Sequence, residues 1–457
     1  MNSEARKSIH GTWTGRWTFI LAAAGSAVGL GNIWKFPYMA GEYGGGAFVL
    51  VYLACILLIG IPIMIAEILI GRRGRSSPAN SMSYLAKEAN TYPQWKILGI
   101  MGAVAGLAIL SFYSVAAGWA ISYIFEDFSG PSAEYYGEEF NAFLADGTKL
   151  VIFHSIFIFV TVFIVARGVI KGLEVWINRL MPLLFIIVLL LCAYATQTGA
   201  FLEGVSYLFT PDFSKIDATA ILAALGQAFF TLSLGMGAIM AYGAYMPASQ
   251  KIGSTALSVA FLDTLVAILA GIAIFPIVFA NNLDPAEGPG LVFVTLPWAF
   301  VNMPLGFIFG KLFFILLSIA ALSSAISLLE PGVAWIVESL KTKRYVAAGA
   351  LGLVAWTLGI LSALSFDLLS DFTPIGDLNF FDSMDFLSNQ ILLPLGGIFI
   401  AIFVGWIMKE EVVREELGLK DRQWYKNLLN IWFFLLRYIS PLMVGVVFVA
   451  AVFFGIT

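Results

Sequence analysis

Long apolar runs recur along the whole chain, and few folds can hold them. They cover residues 17–40, 45–71, 97–125, 150–166, 173–196, 219–246, 254–280, 304–339, 345–364, 389–408 and 428–455. About 20 apolar residues in a row span a bilayer as a helix. Inside lipid every backbone polar group needs a partner within the protein, so only helices or a closed barrel survive there. Barrel strands would alternate apolar and polar over roughly ten residues, and these runs do not. The chain therefore reads as an all-α integral membrane protein with about 11 transmembrane helices. Its charged fraction of 12% is about half that of a soluble domain. A single membrane domain covers 1–457, with no soluble domain attached. The first run is too long for a leader, holds Gly25, Gly29 and Gly31, and lacks a small-residue cleavage site, so it reads as retained. Cys55 and Cys192 fall inside apolar runs and read as buried thiols.

Basic residues set the orientation. A cytoplasmic N-terminus gathers most of them on one side, among them Arg6, Lys7 and Arg16; Arg72, Arg73 and Arg75; Lys341, Lys343 and Arg344; and Lys420, Arg422 and Lys426. That bias fixes the N-terminus inside, and an odd number of spans then carries Thr457 outside. The opposite loops are acidic, with Glu126, Asp127, Glu134, Glu138 and Glu139, and read as solvated loops.

Two spans carry interruptions. The first holds Gly25-Ser26-Ala27-Val28-Gly29-Leu30-Gly31-Asn32 and the sixth holds Ser233-Leu234-Gly235-Met236-Gly237. Closely spaced glycines weaken a helix and release its carbonyls. The two breaks open successive groups of five spans, the layout of a five-plus-five inverted repeat. Repeat one covers about 13–196, repeat two about 219–408, and an extra span about 428–455. Broken backbone at mid-membrane is tolerated only where it lines a cavity. Free carbonyls there suit a hard cation, and free amides at a half-helix N-terminus suit a carboxylate. The alternative is glycine-mediated close packing of helices; two breaks in register, each flanked by polar residues, favour a binding site. No strand precedes either glycine group, which removes a dinucleotide reading.

The stretches Gly29-Leu30-Gly31-Asn32-Ile33-Trp34-Lys35-Phe36-Pro37, Glu42-Tyr43-Gly44-Gly45-Gly46-Ala47-Phe48, Gly60-Ile61-Pro62 with Glu67, and Gly226 through Gly237 resemble the neurotransmitter:sodium symporter family, in its bacterial amino-acid branch. The similarity runs from about Trp13 to the tenth span. Most relatives have twelve spans, and this chain carries one fewer. The resemblance implies alternating access, a bacterial plasma membrane, a monomer or loose dimer, no nucleic-acid partner and no enzymatic activity. It also implies two sodium ions. The first would be held by the Ala27 carbonyl, Asn32, Thr231, Asp263 and the substrate carboxylate. The second would be held by the carbonyls of Gly25, Val28 and Ala320 and the hydroxyls of Ser323 and Ser324. All are oxygen ligands, as a hard cation requires. Taken alone, Ser323 and Ser324 read as serines bonding back to their own helix.

The same resemblance places the substrate amine at carbonyls of the broken helices and Phe230. It places the carboxylate at the Leu30 and Gly31 amides and the Tyr113 hydroxyl; without it, Tyr113 reads as a packing tyrosine. The side chain would sit among Ile109, Tyr113, Phe230, Ser233, Met236, Ser324 and Leu328. That lining is mostly apolar and includes an adaptable methionine, so broad hydrophobic L-amino acids, aromatic ones included, are the expected substrates.

Charges inside spans are costly and usually functional. Asp263 stands where the family commonly has Asn. A fixed negative charge there would replace chloride, and protonation on the empty return step would give proton antiport. Some bacterial relatives achieve this with a glutamate at the position of Ala267. Glu67 is expected to brace the broken helices. Lys35 and Asp385 resemble the outer gate pair, with Asp382 as a supporting acid; Lys lacks the bidentate fork of the usual Arg. Trp13, Tyr245 and Glu338 match the inner gate, but His10 replaces its usual arginine, which leaves the inner ion pair open. His154 reads as structural. Gly172 and Pro182 bracket either an ordinary kink or a local unwinding that admits water to the second sodium site. Two sodium ions crossing 100 mV supply about 4–5 kcal/mol. No nucleotide-binding motif suggests an ATP-driven pump. The alternatives from other classes are an ion channel and a non-transporting amino-acid sensor.

Overall fold

A computed structural model describes residues 8–286, 288, 290–418 and 423–455. Arg6, Lys7, Lys420, Arg422 and Thr457 lie outside the described residues. Among the described residues the membrane runs are helical. Nine are continuous: Gly46–Gly74, Pro93–Tyr123, Gly147–Ala166, Val169–Ala195, Ile252–Ala280, Gly306–Leu340, Arg344–Leu364, Phe380–Ile407 and Lys426–Phe454. The first span is two helices, Arg16–Ala27 and Gly31–Glu42, meeting at 56°. The sixth is also two, Ala218–Thr231 and Ala238–Ala244. By length and composition nine helices among the described residues could cross a membrane, and ten with the first pair counted as one span; the two pieces of the sixth, taken together, would make the expected eleven.

Packing follows the repeat. The third span lies against the eighth and the fourth against the ninth, while the first packs on the seventh and the second half of the sixth on the second. Renumbering spans one to five as six to ten maps each of the first two contacts onto itself and exchanges the last two. The third and eighth spans are 72% buried over their most apolar windows, against 33% for the eleventh. The central pair therefore forms the core and the extra span lies at the periphery.

Prolines shape the helices. Pro37, Pro62, Pro297, Pro394 and Pro441 each stand at the second residue after a π-helical turn, at Gly31–Lys35, Ile56–Gly60, Leu291–Thr295, Leu387–Leu392 and Leu435–Ile439. Proline lacks an N–H and crowds the carbonyl four residues back; a widened turn lets the helix continue past it. One feature was not expected. The connection after the seventh span contains two short buried helical pieces, Leu291–Thr295 and Leu296–Val301, too short to cross a bilayer. Its Phe293 stacks on Phe140 and sits edge-on to Trp34 and Trp119.

His154 is buried between Ser114 Oγ at 2.9 Å and the Trp356 carbonyl at 3.1 Å, tying the third, fourth and ninth spans together. Cys55 is buried, but Cys192 is only half-buried, because its span carries one face toward the periphery. Segment 172–182 is wound: Val169–Glu174 is a π turn and Val175–Ala195 an α-helix that contains Pro182. Gly172 lets this turn press on the Ile164 carbonyl, where a Cβ would collide.

Candidate functional site

The first break can be followed bond by bond. A continuous helix would bond the amides of Gly29, Leu30 and Asn32 to the carbonyls of Gly25, Ser26 and Val28. Instead Gly29 N donates to Asn32 Oδ1 at 2.9 Å, Leu30 N to Tyr113 Oη at 3.2 Å, and Asn32 N to the Gly29 carbonyl at 3.2 Å. Released carbonyls then find partners elsewhere. Ser324 Oγ donates to Val28 O at 3.1 Å and approaches Gly25 O at 3.5 Å, and Ser233 Oγ donates to Ser26 O at 2.8 Å. In the sixth span Glu67 Oε1 accepts from Gly235 N at 2.7 Å, which takes that amide away from the helix. Gly235 and Gly237 have φ of +80° and +78°, and Ser233 has +54°. Glycine adopts this left-handed region freely, whereas serine does so at a cost of about 1–2 kcal/mol. Glu67 therefore braces the break as the sequence suggested.

The two breaks face one small pocket. It is lined by Ser26, Ala27, Gly29, Gly31, Ile109, Tyr113, Phe230, Ser233, Met236, Ser324 and Leu328, with a volume of about 20 Å³. The structure thus gathers the expected substrate residues, with Leu30 and Thr231 adjoining. Two glycines on the third span make the closeness feasible. A Cβ on Gly102 would stand 2.8 Å from the Met236 carbonyl, and one on Gly106 2.5 Å from the Leu328 oxygen.

Oxygen clusters flank this pocket. In one, Ser323 Oγ lies 2.9 Å from Ala320 O and 3.4 Å from Val28 O, beside Ser324 and Gly25. All five expected members of the second sodium set converge there. In the other, Thr231 Oγ1 donates to Asp263 Oδ1 at 2.9 Å, and Tyr52 Oη donates to Oδ2 at 3.4 Å. Asn32 departs from expectation, since it points Nδ2, not Oδ1, at the carboxylate, 2.7 Å away. A buried anion takes the donor face of a neighbouring amide. Among the described residues no group of three or more His, Cys, Asp or Glu side chains could hold a metal; the charge in these clusters comes from the Asp263 carboxylate.

A wider cavity of about 340 Å³ stands above the pocket and shares Gly31, Tyr113 and Phe230 with it. Lys35, Asp382 and Asp385 line it. The expected Lys35–Asp385 ion pair is not formed. Lys35 Nζ lies 5.4 Å above the Phe230 ring, a cation–π contact, and Asp385 accepts instead from Asn389 Nδ2 at 2.6 Å. This cavity extends down to Phe230, which it shares with the pocket below.

The face carrying the N-terminus is sealed. Trp13 is buried, its backbone N donates to the Tyr245 carbonyl at 2.9 Å, and its indole N donates to the Tyr242 carbonyl at 3.3 Å. The inner ion pair left open by the sequence is formed by His10 Nε2 and Glu338 Oε1 at 3.1 Å, when His10 is protonated. Glu338 also accepts from Ser77 N, Ser77 Oγ and Asn80 Nδ2 at 2.5–2.9 Å. Tyr245 belongs to a second lock that sequence reasoning missed: its hydroxyl donates to Glu330 at 2.7 Å, and Glu330 pairs with Arg344. The signal was available, because Glu330 is a carboxylate within an apolar span, as Glu67 is.

Comparisons with known proteins agree with this architecture. The family model described as the sodium:neurotransmitter symporter family matches residues 10–142 and 131–454. A sodium-dependent transporter of Bacillus subtilis, YhdH, is 38% identical over 95% of this chain and 96% of its own length. A sodium-dependent transporter of Haemophilus influenzae is 35% identical over 97% and 98%. The crystal structure of MhsT in complex with L-phenylalanine superimposes with a TM-score of 0.87 at 48% identity, over 96% of this chain and 99% of that one. With two broken spans meeting at one pocket and matches along nearly its full length, the chain is a member of the sodium:neurotransmitter symporter family of membrane transporters.

Proposed function

We propose that the chain is a sodium-coupled symporter of hydrophobic L-amino acids, aliphatic and aromatic, working by alternating access. The reading rests chiefly on one observation: two helix breaks meet at a small apolar pocket flanked by two oxygen clusters. In this scheme the substrate carboxylate binds the Leu30 and Gly31 amides and Tyr113, and its amine binds freed carbonyls beside Phe230. Its side chain lies against Ile109, Met236 and Leu328. One sodium ion binds Ala27, Asn32, Thr231, Asp263 and the substrate carboxylate. The second binds Gly25, Val28, Ala320, Ser323 and Ser324. The phenylalanine bound in the MhsT crystal structure supports this substrate class.

Asp263 supplies a fixed negative charge in the scheme, so transport needs no chloride, and its protonation on the return step exports a proton. Lys35 and Asp385 close the outer path after binding. Trp13, Tyr245 and Glu338, with His10, hold the inner path until the substrate and both ions are seated. Unwinding between Gly172 and Pro182 then admits water to the second sodium. The N-terminus is cytoplasmic, in a bacterial plasma membrane. Residues about 13–196 and 219–408 act as the two repeats of one transport domain, and the span at about 428–455 stands outside them.

Uptake of radiolabelled L-phenylalanine into proteoliposomes tests the reading. Accumulation driven by an inward sodium gradient is expected, with potassium unable to replace sodium. Binding without accumulation would point to a sensor, current without substrate to a channel, and sodium-independent uptake would overturn the coupling.

A further inference from the structure

Four buried serines run as a chain of hydrogen bonds between the pocket and the second oxygen cluster. Ser233 Oγ, on the sixth span, donates to the Ser26 carbonyl at 2.8 Å. Ser26 Oγ donates across to Ser327 Oγ on the eighth span at 2.7 Å, and Ser327 Oγ donates to the Ser324 carbonyl at 2.7 Å. Ser324 Oγ in turn reaches Val28 O and Gly25 O. Serines in membrane helices usually bond back to the carbonyl one turn earlier, and Ser327 does so. Ser26 does not: its hydroxyl leaves its own helix for another span while its carbonyl is held by a third.

That residue sits between the two oxygen clusters. Gly25, whose carbonyl belongs to the second cluster, precedes it, and Ala27, which the proposed scheme gives to the first, follows it. Both ends of Ser26 are fixed, the carbonyl by Ser233 and the side chain by Ser327. Its two backbone torsions therefore set the directions of the peptide groups on either side. A shift of the break at one cluster must be carried through Ser26 or break one of these bonds.

We propose that Ser26, clamped by Ser233 and Ser327, is the positioning residue through which the two sodium sites act on each other. This rests on the two-sodium symport reading above. It predicts that the cooperativity of sodium binding runs through Ser327, which touches neither ion nor substrate in the scheme.

The test is sodium titration of L-[3H]phenylalanine binding to the full-length purified protein. The parent is expected to give a Hill coefficient of about 2 for two coupled sites. Ser327→Ala is expected to lower it to about 1 and to raise half-saturating sodium by about threefold or more. Ser327→Thr, which keeps the hydroxyl, is expected to restore the parent slope. Ser327→Cys, of similar size but a weak donor, should follow Ser327→Ala and serves as the second variant. A parent-like slope in Ser327→Ala or Ser327→Cys overturns the inference, including the case where only the melting temperature falls. Phenylalanine binding by the parent that ignores sodium overturns the symport reading itself, and is seen before any substitution is made.

Discussion

Asn32 turns its amide nitrogen toward Asp263, with Nδ2 2.7 Å from Oδ1 and 3.0 Å from the backbone oxygen of the same residue. Its amide oxygen meanwhile accepts from Gly29 N. A cation seated between Asn32 and Asp263 must replace these donors and meet the amide oxygen, so ion capture and rotation of one side chain become a single event.

Asp263→Asn removes the only carboxylate in that cluster. Half-saturating sodium is expected to rise about tenfold, equivalent to about 1.4 kcal/mol, and uptake should become stimulated by chloride. Uptake into proteoliposomes with chloride replaced by gluconate measures both effects. A variant with the parent's sodium and chloride responses would remove Asp263 from the coupling.

Gly102→Ala tests the closeness of the third span to the sixth. The added methyl would meet the Met236 carbonyl carbon and oxygen at 2.8 Å, and neither is the movable end of a side chain. Overpacking of this kind costs about 1–3 kcal/mol. Phenylalanine affinity is expected to fall roughly tenfold or more, read by equilibrium binding at saturating sodium, whereas alanine at Gly253, where an added Cβ meets nothing within 4 Å, should leave it unchanged.

Glu330→Gln should destabilise the protein more than the loss of an ordinary surface charge. The Glu330 side chain is fully buried and that of Arg344 is 14% exposed. Removing one partner of a buried pair strands the other, at about 3–5 kcal/mol. Thermal unfolding in detergent is expected to show a clear drop in melting temperature. Glu330→Gln with Arg344→Met should recover much of it, because no uncompensated charge remains.

Pro182→Ala restores a backbone donor to the fifth span and should strengthen the wound form of 172–182. In the proposed cycle it slows sodium release toward the N-terminal face severalfold, while outward-side binding is retained. Sodium-release kinetics measured by stopped flow on preloaded proteoliposomes check this. Equal rates would leave Pro182 as a plain kink.

The breaks and their chemistry were legible because glycine spacing acts locally: Gly29 and Gly31 weaken a helix wherever it packs. The second oxygen cluster was not legible from the residues alone: Ser323 and Ser324 read there as serines bonding back to their own helix, and only the family resemblance singled them out, because the carbonyls they meet come from the first span, nearly 300 residues away. The state of the gates was not legible either. Lys35 and Asp385 can pair or part without any change in sequence, and here Lys35 rests on Phe230 while Asp385 bonds Asn389. The direction of the Asn32 amide is likewise set by a neighbour 231 residues away. Glu330–Arg344 went unread because its partners straddle two spans, and the charge bias counted Arg344 as a loop residue. The Leu291–Val301 pieces were missed because a short apolar stretch looks the same whether it lines a loop or packs as a helix.

The smallness of the pocket has a consequence for what the protein can discriminate. About 20 Å³ is free between the lining side chains, room for about one water molecule, so the side chain of an amino acid bound as proposed would need the lining to give way. In the proposed function the Gly235-Met236-Gly237 strip, whose glycines have φ of +80° and +78°, would yield to make that room, and affinity would then measure compliance as well as fit. Stiffening that strip, rather than filling the cavity, would be the way to turn a broad acceptor into a narrow one.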